Sequence, residues 1–386
     1  MISIIEKDIN MKRKVIKCLM GILLVSCIFC GCGSRKKDTI GEENVTLNED
    51  ITAIQEEPEN HISNIITLTE QVQQLKPGLS AVQHNGDYGL DEFIFGGGAS
   101  SDREVVTFVM TNLLSGVEGI TFGAMPFGCS TLSVQGVDGT WMFGRNFDWN
   151  TCDAMIVSSY PENDYASIAT VNTDFINISG IRLDNLPDEM QALIALYAPL
   201  DGMNEKGLVV SVNMIQDGAS ISQDTDKPDL TTTTAVRLLL DKAADAKEAV
   251  EILGQYDLHS SMGMMVHLAI ADAAGNSVVV EYIDNEMVVT HSPVVTNFYL
   301  SEGEKYGIGT QQSHTRYDIL MAALAEGNAF TMEDMRDTLD SVSKHNFGSM
   351  ESTEWSIVFN QSTGEVHYYH REDYENCYTF HLEMKP

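Results

Sequence analysis

The sequence predicts an α+β fold in which largely antiparallel sheets are layered with helices. Strand-like runs follow one another over residues 129–171 and again over 264–291, and three more lie between 355 and 382. Helix-like runs occur in separate blocks, at 187–197, 234–253, 315–325 and 332–343. Strands in succession with helices in blocks are typical of a layered α+β domain and not of an alternating parallel α/β fold.

Composition limits both the size of the core and the kinds of partner. The chain has 386 residues, of which 43% are hydrophobic, enough for one large core. Its 56 acidic and 23 basic residues give a formal net charge of −33. Such a surface repels phosphate backbones and anionic lipid headgroups. We therefore expect no nucleic-acid partner and no docking to membranes through a basic patch.

The first 32 residues have the pattern of an export signal. A basic cluster at residues 12–17 precedes an apolar run at 18–29 that is too short to span a bilayer comfortably. The run ends at Gly31-Cys32, which resembles the bacterial lipobox, where the cysteine is lipidated. We expect residues 1–32 to be a signal peptide with Cys32 as the lipidation site. The protein would then be exported and anchored to the outer face of a bacterial cell membrane, or otherwise secreted.

Three further segments follow the signal. Residues 33–60 are acidic and poor in large apolar side chains, which predicts a solvated linker. Apolar residues at helical spacing from Ile62 to Leu75, and again from Val105 to Leu114, predict a helical prosegment over residues 61–128. Residues 129–386 carry the strand-rich pattern and form the main domain.

The main domain opens with a predicted β-hairpin. Residues 129–135 and 140–146 alternate as strands around the turn Gly136-Val137-Asp138-Gly139. Pairing of these strands would return Arg145 and Asp148 toward Cys129. A guanidinium and a carboxylate near a thiol can lower its pKa and fix its proton. The same spacing also fits a salt bridge that closes the sheet edge, and the spacing by itself leaves both interpretations open.

The residues around this hairpin resemble a known family. The sequence Cys129-Ser130-Thr131, followed by Gly144-Arg145-Asn146-Phe147-Asp148, resembles the opening of the N-terminal-nucleophile (Ntn) cysteine hydrolases of the choloylglycine hydrolase and penicillin V acylase family. The resemblance continues through 201–208, 271–281, 295–297 and 313–317, and so extends from Cys129 to the C-terminal region. It implies a four-layer αββα sandwich and makes residues 129–386 the catalytic domain.

The resemblance implies that Cys129 is an N-terminal nucleophile. Cys129 would attack the carbonyl of a linear amide, and its own freed α-amino group would take up the proton. An α-amino group has a pKa of about 7.7–8.0, which suits a base near neutral pH. Because 128 residues precede Cys129, the Gly128–Cys129 peptide bond must first be broken. This long prosegment resembles the arrangement of acid ceramidase-like relatives.

The resemblance also assigns supporting roles. Asp148 would hold the α-amino group and Arg145 the thiolate. Asn213 and Asn297 would donate to the oxyanion, and Arg316 would brace the site. No cofactor or metal is implied, and the expected substrate is a small-molecule N-acyl amide. Arg316 lies only 19 positions after Asn297, a shorter interval than in the bile-salt enzymes, so we expect neither their specificity nor their tetramer, and the oligomeric state stays open.

Alternatives remain open from the sequence. The same machinery could pass the acyl group to an amine, as an acyltransferase. His259 and His267 lie at the distance from Cys129 used by papain-like Cys–His hydrolases, although His267 alternates into an apolar strand. A lipoprotein with this fold could also bind without cleaving. The His367-x-x-His370 pair is improbable as a metal site, because positions three apart on a strand face opposite sides.

Two cysteines lie beyond Cys129 in the main domain. Cys152 and Cys377 could pair, but the sequence does not show that their Cα atoms come close enough. We expect instead two small buried thiols.

Overall fold

The computed structural model describes residues 65–114, 120–122, 128–178, 182–327, 329–347 and 351–385. The predicted signal peptide, Cys32 and the acidic linker lie outside the described residues. The described residues belong to one unit. Among them, no helix combines the length and the apolar character needed to cross a membrane.

The described part of the chain contains nineteen strands and seven α-helices. The strands are β1 (Gln73–Lys76), β2 (Leu79–Asn85), β3 (Ile120–Phe122), β4 (Gly128–Gln135), β5 (Trp141–Trp149), β6 (Ala154–Tyr160), β7 (Ser167–Asn172), β8 (Ile176–Ile178), β9 (Asp201–Asn204), β10 (Val209–Met214), β11 (Asp229–Thr231), β12 (Asp257–His259), β13 (Val266–Ala271), β14 (Ser277–Ile283), β15 (Glu286–His291), β16 (Val294–Val295), β17 (Ser352–Asn360), β18 (Glu365–His370) and β19 (Tyr378–His381). The helices are α1 (Leu90–Phe95), α2 (Asp102–Phe108), α3 (Asp188–Leu196), α4 (Thr232–Lys242), α5 (Ala246–Leu253), α6 (Gln311–Ala325) and α7 (Met332–Asp340).

Two large sheets contain most of these strands. The larger sheet has nine strands in the order β1-β2-β6-β7-β9-β10-β13-β14-β15, and the smaller has six in the order β16-β4-β5-β17-β18-β19. Neighbouring strands in both sheets are antiparallel, except that β2 runs parallel to β6. The prediction of largely antiparallel sheets is confirmed.

The helices cover the sheets from outside, which gives four layers. Helices α3, α4 and α5 pack against the nine-stranded sheet, and α6 and α7 pack against the six-stranded sheet. Alternation along the β4–β5 hairpin explains the layering: Cys129 and Phe147 point into the core between the sheets, whereas Leu132 and Met142 point into a second core under α6 and α7. The fold is the αββα sandwich that the resemblance implied.

The helical prediction is wrong for residues 65–75, the part of this stretch that the structure describes. This stretch includes β1, which forms a hairpin with β2 through a turn where Gly78 has a φ of 83°. β2 then pairs in parallel with β6 along its whole length. Pairing with an existing sheet overrides the weak local preference for helix, and the Pro77-Gly78 pair forms the hairpin turn.

Two smaller expectations also need correction. The predicted helix at 234–253 is two helices, because Asp245 caps a new start by accepting a hydrogen bond from the backbone N–H of Glu248 at 2.8 Å. Cys152 and Cys377 are both free, and Cys152 is buried as expected. Cys377 is exposed, because it lies just before the edge strand β19.

Candidate active site

The hairpin of β4 and β5 places Cys129 between the two sheets. The predicted hairpin is confirmed, with Cys129 opposite Phe147 and Gly128 opposite Asp148. Arg145 is paired with Thr131, which lies on the same face of β4 as Cys129. Its Nη2 therefore reaches diagonally across the hairpin to 3.4 Å from Cys129 Sγ.

Arg145 is held rigidly beside the sulfur. Its Nη1 donates to the carbonyl of Leu200 at 2.7 Å and to the Asp201 carboxylate, and its Nη2 donates to the carbonyl of Val212 at 2.9 Å. Burial alone would lower the pKa of Arg145, but Asp201 and the Cys129 sulfur raise it above its usual value. The guanidinium therefore stays charged although no part of it is exposed.

The surroundings of Cys129 shift the pKa of its thiol in opposite directions. Burial raises its pKa above the ordinary value, while the positive charge of Arg145 and the hydrogen bond from it act to lower it. The sulfur also lies 3.6 Å from the carbonyl oxygen of Val212 on β10. In the continuous chain, with Gly128 still attached, the thiol is thus more weakly acidic than a free cysteine.

Two other predicted residues hold the main chain of Cys129. The Cys129 N–H donates to Asn297 Oδ1 at 2.9 Å. Arg316, from α6, donates through Nη1 to the Cys129 carbonyl at 2.5 Å and through Nη2 to the same Asn297 oxygen at 2.7 Å. The nitrogen, carbonyl and sulfur of Cys129 are therefore each held by a different side chain of the predicted set.

Asp148 lies opposite Gly128, the residue before Cys129. Its Oδ1 accepts a hydrogen bond from Thr353 Oγ1 at 2.7 Å. Its Oδ2 lies 3.4 Å from Arg316 Nη1 and 3.6 Å from Lys344 Nζ, but accepts no hydrogen bond from the described residues. A fully buried carboxylate oxygen is thus left with hydrogen-bonding capacity beside Gly128.

The two predicted oxyanion donors are bonded to protein groups in the continuous chain. Asn213 Nδ2 donates to Thr131 Oγ1 at 3.5 Å, and Asn297 Nδ2 donates to the carbonyl of Met214 at 2.7 Å. Both side chains are buried close to Cys129 in the fold. Their role as donors to an oxyanion stays a prediction.

His267 and Glu281 hold the main chain next to Asn297. His267 Nδ1 lies 3.0 Å from Glu281 Oε1, and its Nε2 lies 2.8 Å from the carbonyl of Thr296. Glu281 accepts two backbone N–H bonds as well, and its pKa is lowered to about 2: burial opposes this shift, but His267 and the backbone donors outweigh it. Both nitrogens of His267 face groups other than Cys129, which argues against the Cys–His interpretation.

Sequence reasoning missed several residues of this region. Asp201 opens the turn at 201–208 but was given no role, although it anchors Arg145 and accepts from Trp355 Nε1 at 3.1 Å. Glu281 and Lys344 were also missed, since a charged residue in a strand or loop does not reveal which distant group it meets. His259 binds Asp229 at 2.8 Å, away from Cys129. Within the described ranges, no group of three or more metal-ligating side chains converges.

Comparisons with known proteins find sequence similarity over part of the chain. Residues 129–298 match the model of the family described as linear amide C–N hydrolases, choloylglycine hydrolase family. Penicillin V acylase from Pectobacterium atrosepticum is 31% identical over 110 residues, which cover 25% of this chain and 29% of that protein. The match thus spans less than a third of the relative's length.

One of the similar solved structures supports the same fold. A mutant of the conjugated bile acid hydrolase from Clostridium perfringens superposes with a TM-score of 0.51 at 17% identity, covering 67% of this chain and 93% of that one. Penicillin V acylase from Agrobacterium tumefaciens gives a TM-score of 0.43 at 18% identity, covering 63% and 83%. Residues 129–298 are thus similar in sequence to the choloylglycine hydrolase family of linear amide C–N hydrolases, and the match begins at Cys129.

Proposed function

We propose that the protein hydrolyses small N-acyl amides through an acyl-enzyme on Cys129, after cleaving its own Gly128–Cys129 bond. This proposal rests on one observation, which is that three side chains make polar contacts with Cys129. Arg145 bonds to its sulfur, Asn297 accepts from its nitrogen and Arg316 donates to its carbonyl. A buried structural cysteine needs no such set of polar partners.

The free amine is the base in this proposal. Once the Gly128–Cys129 bond is broken, the Cys129 nitrogen can take the thiol proton, and the thiolate attacks the amide carbonyl of a substrate. Asp148 Oδ2, which accepts no hydrogen bond from the described residues, is available to hold the resulting ammonium group. The charge of Arg145 then stabilises the thiolate between turnovers.

For the substrate we propose an apolar acyl chain with a small amine-side group. The net charge of −33 disfavours the approach of strongly anionic substrates. The short interval between Asn297 and Arg316 differs from that of the bile-salt enzymes. We therefore expect the protein to hydrolyse fatty-acyl amides faster than glycocholate and penicillin V.

One experiment tests the central proposal. The full-length protein is purified, and its fragments are weighed by intact mass spectrometry while released amine is followed with a panel of fatty-acyl amides, glycocholate and penicillin V. We expect a fragment beginning at Cys129 together with amide hydrolysis, and neither in Cys129→Ala. Activity in a chain whose Gly128–Cys129 bond stays intact would refute the proposal. Acyl transfer exceeding hydrolysis with an added amine would favour the acyltransferase.

A further inference from the structure

Lys344 is a buried cation to which the proposed chemistry has so far given no role. Only 5% of the residue is exposed. Its backbone N–H donates to Thr353 Oγ1 at 2.9 Å, which fixes the chain just before β17. Its Nζ binds the Glu351 carboxylate and lies 3.6 Å from Asp148 Oδ2. A buried ammonium group needs such partners, because removing it from water is costly.

The ammonium group of Lys344 lies against Gly128, the residue before the proposed nucleophile. A Cβ atom built on Gly128 would be 2.6 Å from Lys344 Nζ and 3.0 Å from Asp148 Oδ2. Only a residue without a side chain fits there without displacing the ion pair. Standard bond lengths then put Nζ within about 5 Å of the Gly128 carbonyl carbon. That carbon belongs to the bond that has to break.

The charges around Gly128 are balanced before cleavage. Arg316 and Lys344 carry two positive charges, and Asp148 and Glu351 carry two negative charges. Cleavage adds a carboxylate at Gly128 and an amine at Cys129. The new amine can bind Asp148, which frees the charge of Lys344 for the new carboxylate on the other side of the break.

We propose that Lys344 promotes self-cleavage by stabilising the negative charge that develops on the Gly128 carbonyl oxygen, and then by binding the new Gly128 carboxylate. This inference rests on the proposed function. Cys129 Sγ attacks the Gly128 carbonyl carbon, and the C–N bond breaks as the Cys129 nitrogen takes the thiol proton. Water then hydrolyses the thioester, which restores the thiol and leaves the carboxylate and one proton. Negative charge lies on the Gly128 oxygen in both tetrahedral intermediates, and Lys344 Nζ lies within about 5 Å of the carbon that bears this oxygen.

The test compares variants of the full chain that keep or remove the positive charge of a lysine. Purified uncleaved protein is incubated, and the appearance of the Cys129-initiated fragment is timed by mass spectrometry. Lys344→Gln is expected to slow cleavage by about 10²-fold, the usual effect of losing one group that stabilises an oxyanion. Lys344→Arg should retain most of the rate because it keeps the charge. Lys305→Gln, which removes a lysine paired with Asp217 elsewhere, should cleave at the wild-type rate.

A further variant separates this role from a structural one. Glu351→Gln removes the anion that competes for Lys344, so cleavage should be at least as fast as in the wild type. Slowing by Glu351→Gln as large as that by Lys344→Gln would mean that only the ion pair matters, and would overturn the inference. Cleavage of Lys344→Gln at the wild-type rate would do the same. A wild-type chain that is never cleaved would instead refute the proposed function itself.

Discussion

Asn297 Oδ1 accepts the backbone N–H of Cys129 at 2.9 Å, although 168 positions separate the two residues in sequence. The same oxygen accepts a hydrogen bond from Arg316 Nη2. The nitrogen that would become the catalytic base is therefore already oriented in the continuous chain. Self-cleavage at this bond would not require Cys129 to move far, because its partners are in place beforehand.

Arg145→Lys should reduce kcat/KM by about 10²-fold or more, because a lysine cannot donate at once to the sulfur, to Asp201 and to two carbonyls. Steady-state kinetics on cleaved, folded protein would measure this. Arg237→Lys is the matched control. Arg237 is equally buried and paired with Asp241, but lies away from Cys129. Comparable loss of activity in both variants would show that Arg145 acts only through stability.

Asp148→Asn should impair both cleavage and turnover, since an amide cannot balance the charge of the freed Cys129 amine. We expect a reduction of about 10²-fold or more in each rate, measured by mass spectrometry and by amine release. Asp217→Asn, which alters a partly exposed carboxylate bound to Tyr299, serves as the control. If cleaved Asp148→Asn turned over substrate at a near-normal rate, Asp148 would have only a structural role as part of a salt bridge.

The fragment ahead of Cys129 should stay bound after cleavage. β2 is an internal strand of the nine-stranded sheet, and the Tyr88 hydroxyl donates to the buried Asp241 carboxylate. Size-exclusion chromatography should therefore elute both fragments together in buffer and separately in urea. Tyr88→Phe should weaken their association, whereas Tyr306→Phe, at an exposed tyrosine, should not. Separation of the wild-type fragments in buffer would contradict this expectation.

Stability should fall in acid as Glu281 is protonated. Because folding lowers its pKa from 4.5 to about 2, the carboxylate contributes stability that is present above pH 4.5 and is lost as the pH falls toward 2. The shift corresponds to roughly 3 kcal/mol. Urea unfolding of Glu281→Gln should show a smaller loss of stability across this range than the wild type. Parallel curves for the two proteins would refute this assignment.

Export is tested by fractionating bacterial cells that express the full chain. The wild-type protein should sediment with membranes, and Cys32→Ala should release it, because a lipid on Cys32 would be the only anchor that the sequence predicts. Cys30→Ala is the matched control and should remain in the membrane fraction. Recovery of the wild-type protein in the soluble cytoplasm would contradict export.

Local patterns predicted the hairpin and most strands of the main domain, because period-two alternation and glycine turns are properties of short segments. The resemblance supplied Asn297 and Arg316, whose approach to Cys129 depends on contacts across more than 160 residues. The segment that contains β1 was mispredicted as helix, since its extended form depends on pairing with β2, which comes later in the chain. Lys344 could not be found from sequence, because its significance comes from its close approach to Gly128, which only the folded structure reveals.

The parallel pairing of β2 with β6 has a consequence for how the protein could recover from unfolding. Before cleavage, the strand and its neighbour belong to one chain, so refolding is a unimolecular process that does not depend on dilution. If the Gly128–Cys129 bond is cleaved as proposed, the same sheet would have to be rebuilt from two polypeptides, and its recovery would become a second-order reaction that slows as the protein is diluted. Cleavage would thus give the folded protein, at high dilution, a limited lifetime that is set by its rate of unfolding.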